Sequence, residues 1–251
     1  MTGLVLAAGV GKRLAPLTDD RPKGLIELGG RSLLARLLDG FAAAGVRETH
    51  LVVGYKHEMI RAHLGASHRG MPLRYLENPA YTKGPRLSLW RGRATFEWDD
   101  VVLADGDVLF APPLLTRVIH ATDPNVFLAD PEFVDTGEEL ILYSTGDRVV
   151  ALRRGIAGPP SDAFDSRAEW VGFVRVGRAA GIQLADTLET MVRAGRVEGD
   201  YEVALDALLP LHRFRPCSTE GLPWIEIDFP QDLHAAEAEV LPRIARLEGS
   251  A

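Results

Sequence analysis

The sequence predicts an α/β fold: a mostly parallel sheet flanked by helices, with a β-rich insertion in its second half. Three observations lead there. Short apolar runs alternate with helical segments up to about residue 125. The first of these runs enters a glycine loop at once. Past about residue 125, strand-like segments follow one another closely.

Residues 4–8 (LVLAA) read as a buried parallel strand, because the run is wholly apolar and Gly9 follows it. Residues 32–44 (SLLARLLDGFAAA) carry apolar side chains at helical spacing and stop at Gly45, a C-cap residue. Residues 49–53 (THLVV) form the next strand, 56–64 a helix, 73–76 (LRYL) a third strand and 87–96 a helix. Residues 101–104 (VVLA) form a central strand running into Asp105-Gly106-Asp107. In the second half, 126–129, 139–144, 148–153 and 169–176 are strand-like, and Gly146-Asp147 marks a hairpin turn. Residues 155–165 are rich in Gly, Pro, Ser and Asp and predict a mobile surface loop. Helices follow at 181–194 and 201–209, a last strand at 224–227, a turn from Pro230 and an Ala/Glu-rich helix at 233–247.

At 251 residues, 46% hydrophobic and 25% charged, the chain has the composition of one globular domain. Disorder and low complexity are excluded. Lys and Arg number 28 against 35 Asp and Glu, a net charge of −7, which argues against a protein that grips nucleic acid backbone. A single cysteine, Cys217, excludes a disulfide framework and points to a reducing compartment. The apolar run near the start is too short for a membrane span or a signal-peptide core. The expectation is a soluble cytoplasmic protein without nucleic acid or membrane partners.

Residues 6–23 read LAAGVGKRLAPLTDDRPK, and three explanations compete for the glycines. A dinucleotide fingerprint needs a third glycine where Leu14 stands. A P-loop needs Ser or Thr where Arg13 stands. The third is a loop whose backbone N–H groups hold a triphosphate, with Lys12, Arg13 and Lys23 supplying positive charge. Small residues let backbone amides approach the ligand closely. A lone G-x-G favours a plain strand-to-loop turn, and the three cations beside the pair reverse that balance.

The stretch resembles the signature L-A-A-G-x-G-x-R-L-x-P-L-T-x-x-x-P-K-x-L of nucleotidyltransferases acting on sugar phosphates and small phosphorylated alcohols. It runs here through Leu6, Ala7, Ala8, Gly9, Gly11, Arg13, Leu14, Pro16, Leu17, Thr18, Pro22, Lys23 and Leu25. Residues 29–34 (GGRSLL), Asp105-Gly106-Asp107 and residues 224–228 fall where that family places its own elements. The resemblance implies a Rossmann-like core of the nucleotide-diphospho-sugar transferase type. Residues up to about 125 would be the nucleotide-binding half, and about 126–251 the acceptor half with the C-terminal metal segment. It also implies nucleotide contacts from Leu6, Ala7, Ala8, Gly9, Gly11, Lys12 and Arg13.

Asp105-Gly106-Asp107 ends a parallel strand, where ligands of open α/β sheets collect. A carboxylate there suits Mg²⁺, and exposed loop acids are the simpler alternative. The resemblance assigns Mg²⁺ to Asp107 and gives Asp105 a neighbouring, loop-shaping role beside the nucleotide. In Trp224-Ile225-Glu226-Ile227-Asp228, strand alternation puts Glu226 and Asp228 on one face. This reads either as a solvated acidic edge or as the rest of a cation site. W-x-E-I-D-x-P-x-D-L resembles the cytidylyltransferases for phosphocholine and similar small acceptors, whose Glu and Asp in this segment hold metal; the roles carry over to Glu226 and Asp228.

Residues 78–89 (NPAYTKGPRLSL) resemble the same subgroup's base-side segment, placing Asn78, Gly84, Pro85 and Ser88 at the nucleotide, with Lys83 or Arg86 near phosphate. A loop with a capped helix is the plain alternative. Glu169-Trp170-Val171-Gly172-Phe173 matches the subgroup's acceptor-side E-[WY]-x-G-F segment. A ring face and a carboxylate suit a cationic head group, and a core tryptophan is the alternative. Tyr201 and Glu202 resemble another acceptor-side segment.

The resulting expectation is a Mg²⁺-dependent enzyme moving CMP, or another NMP, from an NTP to a small phosphorylated or phosphonylated alcohol or amine. Lys23, Arg13 and Asp107 are its expected catalytic residues. The alternatives are a sugar 1-phosphate acceptor and a non-catalytic nucleotide-sensing domain.

Overall fold

Thr2–Ala7 (β1) is apolar over most of its length and lies at the centre of the molecule, which the computed structural model describes over residues 1–155 and 158–249. A two-stranded ribbon, β2 (Glu27–Leu28) and β3 (Arg31–Ser32), leads into α1 (Leu33–Ala43). Ser32 caps that helix, its Oγ accepting from Ala35 N at 3.2 Å. Next come β4 (Glu48–Val53), α2 (His57–Leu64), β5 (Ser67–His68), β6 (Met71–Glu77) and α3 (Pro85–Gly92). After β7 (Val101–Asp105), the chain makes β8 (Val108–Phe110), α4 (Pro112–Ile119) and β9 (Val126–Asp130). The hairpin β10 (Leu140–Thr145) and β11 (Arg148–Arg154) precedes the long β12 (Ser166–Val176), α5 (Arg178–Arg193) and α6 (Glu202–Asp206). The chain closes with β13 (Arg215–Ser218), β14 (Trp224–Glu226), α7 (Pro230–Ala235), a π turn at Ala236–Val240 and α8 (Leu241–Glu248).

The sheet order is β11-β10-β12-β7-β1-β4-β6-β5, with β9 and β13 branching from β12. Strands β7, β1, β4 and β6 are parallel. β12 joins antiparallel to β7, so one continuous sheet runs through both halves. Packing follows the alternation of side chains. Val5, Val102 and Ala104 face one layer with Leu34, Leu38 and Phe41 of α1, whereas Leu4, Val101 and Leu103 face the other with Leu184 and Leu188 of α5.

Most elements lie within a few residues of their sequence-based bounds. The 87–96 segment splits into α3 and a 3₁₀ stretch at Arg93–Glu97. The C-terminal helix is interrupted by the π turn just before Pro242, which lacks the N–H that a continuous helix needs. Within the predicted 155–165 loop, residues 156 and 157 lie outside the described residues; the described part forms no strand or helix. Among the described residues, no helix is long and apolar enough to cross a membrane.

Candidate active site

The carboxyl ends of β1 and β7 open into a cleft. Gly11 adopts the left-handed backbone, φ 69°, and a Cβ there would approach Lys23 Cβ to 3.1 Å. That turn starts the 3₁₀ segment Lys12–Leu14, while Leu14 itself is buried as an anchor. The Thr18 hydroxyl donates to Gly11 O at 2.8 Å and fastens the loop to itself. Lys23 follows Pro22 on a second 3₁₀ turn. The next residue, Gly24, packs so tightly that a Cβ would meet Leu34 Cγ at 2.7 Å.

Three distant segments converge on Lys23. Its Nζ lies 2.8 Å from Asp107 Oδ2 and 2.5 Å from Asp228 Oδ1. Asp107 sits between β7 and β8, and its carbonyl accepts from Ile227 N at 3.0 Å. β14 pairs antiparallel with β8, Glu226 opposite Val108. Ile227 is fully buried, which turns Glu226 and Asp228 towards the cleft. One ligand oxygen each from Asp107, Glu226 and Asp228 lies within 4.8 Å of the others. The Asp232 carboxylate caps the following turn, accepting from the N–H groups of Asp228 and Phe229.

The electrostatics follow. Burial works against the Lys23 ammonium, but Asp107 and Asp228 more than offset it and hold its pKa well above the ordinary lysine range. Desolvation in the cleft floor, then Asp107 and Asp228, push Glu226 up to about 8. Arg13 Nη2 binds Asp228 Oδ2 at 2.6 Å, and its guanidinium lies 4.8 Å from the Phe229 ring centroid. Asp105 is not among these three carboxylates and bonds to Tyr201 instead. The Tyr201 hydroxyl lies 3.0 Å from both its oxygens, and burial followed by the charges of Asp107, Glu202 and Glu226 raises its pKa strongly. Gly172, φ 83°, makes room for it: a Cβ there would stand 3.2 Å from Asp105 Oδ2.

Two cavities share this floor, of about 710 and 920 Å³. The first is lined by Leu6, Ala7, Gly9, Gly11, Lys12, Arg13, Lys23 and Pro85, together with Asp107, Glu226 and Asp228. The second is walled by Asp130, Glu139 and Glu169. Glu169 stands opposite Asp130 across β12 and β9; burial, then Glu139 and Asp130, raise it to about 7. Glu202 lines both cavities; burial, then the Asp200 charge, raise it to about 7, and its Oε2 has no hydrogen-bond partner.

Several expected contacts sit elsewhere. Asn78 and Ser88 are buried and bonded to each other, Nδ2 to Oγ at 3.0 Å, and line neither cavity. Gly84 presses against Gly199 backbone, and Ala8 is buried, its carbonyl accepting from Tyr55 N. Trp170 is a core residue, 6% exposed, with Nε1 donating to Phe173 O at 2.9 Å and edge-on contacts to Phe127 and Tyr201. It lines the second cavity but is enclosed by the core, so the open ring face expected for a head group is absent. Tyr201 is 3% exposed and holds Asp105 through its hydroxyl, yet it does line the first cavity. Conversely, Glu138 and Arg154 line both cavities and carry no motif. The only hint of Arg154 in the sequence is a basic pair at a strand end before Gly155.

A family model for the MobA-like NTP transferase domain matches residues 3–158, including the glycine loop, Lys23 and Asp107. The chain belongs to that family. It is similar to the CMP-5'-(3-aminopropyl)phosphonate synthase of Streptomyces rubellomurinus, 30% identical over 95% of this chain and 38% of that protein. It is also similar to the N-acetylmuramate alpha-1-phosphate uridylyltransferase of Caulobacter vibrioides, 46% identical over 94% of this chain and 96% of that protein. Its fold matches the solved CTP:phosphocholine cytidylyltransferase of Streptococcus pneumoniae, with a TM-score of 0.76 at 18% identity, over 94% of this chain and 97% of that one. The chain thus spans less than half of the first relative and nearly all of the other two.

Proposed function

We propose that the protein transfers a nucleoside monophosphate from an NTP to a phosphate or phosphonate oxygen of a small acceptor, releasing pyrophosphate. The observation that carries this is the meeting of Lys23, Asp107 and Asp228 beneath the glycine loop. The acceptor oxygen is already anionic, so no general base is needed; the protein has to neutralise charge and align the reactants. Lys12 and Arg13 hold the β- and γ-phosphates, with the Gly9 to Gly11 backbone beside them. Lys23 bears on the α-phosphate, where charge develops.

Asp107, Glu226 and Asp228 suit Mg²⁺. Hard oxygen ligands converge there, and Asp107 Oδ1 is buried without a hydrogen-bond partner. Bound Mg²⁺ would supply further neutralisation of the phosphate charge. CTP as donor and a phosphorylated or phosphonylated amine or alcohol as acceptor are supported by the names of two similar proteins, and the acidic second cavity suits a cationic or hydroxyl-bearing acceptor. A second reading, UTP with a sugar 1-phosphate, is favoured by the near-full-length 46% identity to a uridylyltransferase and by the enclosure of Trp170. Pyrophosphate release measured for each NTP with phosphocholine, 2-aminoethylphosphonate and N-acetylmuramate 1-phosphate separates the two. No pyrophosphate release with any acceptor of either kind would leave the nucleotide-sensing alternative.

A further inference from the structure

The first cavity is lined by Pro85 at the start of α3 and by Asp200, Tyr201 and Glu202 around the start of α6. Between α5 and α6, residues 194–201 form no strand or helix, so bonds from outside that segment help to set where its end stands. Arg86 supplies three of them. Its Nε and Nη2 donate to Asp200 O at 3.2 and 3.0 Å, and Nη1 donates to Arg196 O at 3.2 Å. Its backbone N–H donates to Gly199 O at 3.3 Å. Arg86 itself lines neither cavity, and its guanidinium is directed at carbonyls of the facing loop, not at a phosphate.

Two glycines make this clasp possible. Gly84 and Gly199 both adopt left-handed backbone, φ 114° and 94°. A Cβ on Gly84 would stand 3.1 Å from Gly199 N, and one on Gly199 would stand 3.2 Å from Arg86 Nη2. The far side of the clasp continues into the cavity floor, because the Tyr201 hydroxyl lies 3.0 Å from both Asp105 oxygens. We propose that Arg86 is a positioning residue that couples the two sides of the first cavity: nucleotide bound against Pro85 steadies α3 and with it the clasp, and the closed clasp sets Tyr201 and Glu202 in place for the acceptor. The two states are the clasp closed and the 196–202 segment locally opened. By linkage, whatever orders Tyr201 and Glu202 tightens the nucleotide by the same factor. The inference rests on the reading of the first cavity as the nucleotide site and adds to it how that site is joined to its neighbour.

The test is amide hydrogen exchange of the wild type, Arg86→Ala, Arg86→Lys and Gly199→Ala, each with Mg²⁺ alone and with saturating CTP or UTP. Gly199→Ala disturbs the same clasp from its other side and leaves Arg86 in the chain. In the wild type, the nucleotide that binds should slow exchange at residues 9–13 and, by about fivefold or more, at residues 199–204. In Arg86→Ala and Gly199→Ala the protection at 9–13 should persist, while that at 199–204 falls below about twofold; Arg86→Lys, with one ammonium for the two carbonyls, should lie between. A merely structural role would speed exchange at 199–204 equally with and without nucleotide and leave the protection ratio unchanged. Protection at 9–13 with 199–204 unmoved in the wild type, or an unchanged ratio in both Arg86→Ala and Gly199→Ala, would overturn the coupling and leave the nucleotide site standing. Protection of neither segment by either nucleotide would overturn both.

Discussion

Replacing Lys23 by alanine removes one cation and leaves three carboxylates, Asp107, Glu226 and Asp228, within 4.8 Å of one another. The Lys23 side chain is 12% exposed, and the partners it abandons are 25% and 24% exposed. Losing one partner of a buried ion pair costs about 3–5 kcal/mol. The cleft admits water to both carboxylates, so the lower end, about 3 kcal/mol, applies here. For a chain of this size that corresponds to a fall of about 6–12 °C in melting temperature. The lysine pKa is raised on folding, so its stabilisation is present in full below the unfolded value near 10.5 and is lost only in strong alkali. Melting near neutral pH therefore reads all of it. In EDTA, Lys23→Ala should melt well below the wild type, whereas Lys12→Ala, an exposed residue, should melt with it. Millimolar Mg²⁺ should then raise the melting temperature of Lys23→Ala more than that of the wild type, because the ammonium no longer competes for Asp107 and Asp228. Equal melting in EDTA, or a smaller Mg²⁺ response in the variant, would refute the reasoning.

Other variants separate chemistry from packing. Asp228→Asn should lower kcat by about 10²–10³-fold, by analogy with the loss of one transition-state contact, without weakening NTP binding, since Arg13 is released from its partner; near-wild-type turnover in Mg²⁺ would remove Asp228 from the site. Glu202 has its carboxyl raised to about 7, so its burial costs nothing below about pH 4.5 and destabilises progressively as pH rises towards 7 and above. Glu202→Gln should thus gain stability at about pH 8, by at most about 3 kcal/mol, and little at about pH 4, as thermal melts at the two pH values would check. Trp170→Ala should cost about 3–5 kcal/mol in a denaturant titration as a core cavity, with acceptor KM nearly unchanged in the folded fraction; a selective rise in KM would restore its head-group role.

The legible parts of the sequence were those with a local cause. The glycine loop announced itself through Gly11 and the cations around it, and the alternation in residues 224–228 placed Glu226 and Asp228 on one face because Ile227 had to be buried. What strand alternation cannot show is which partner strand follows. β13 escaped because Arg215–Ser218 contains a proline and no apolar run, and β8 because three residues carry no period. At Trp170 the local pattern shows only half of the setting: Glu169 beside an aromatic ring suits a head group chemically, but Phe127 and Tyr201 arrive from distant segments and pack edge-on against the ring. Asn78 and Ser88 likewise proved to be each other's partners, a pairing that their spacing does not reveal. Arg154 acquires its setting only when the end of β11 is folded against the cleft.

The central claim is that this cleft joins an NMP to a phosphorylated acceptor. The most direct measurement is ³¹P NMR of the wild type and Asp107→Asn with Mg²⁺, each NTP in turn and each acceptor in turn. The account predicts that the wild type forms pyrophosphate and a new phosphoanhydride resonance together, in equal amounts, only when one acceptor is present, and that Asp107→Asn forms neither. Pyrophosphate released without an acceptor, inorganic phosphate released in its place, or an unimpaired Asp107→Asn would contradict it.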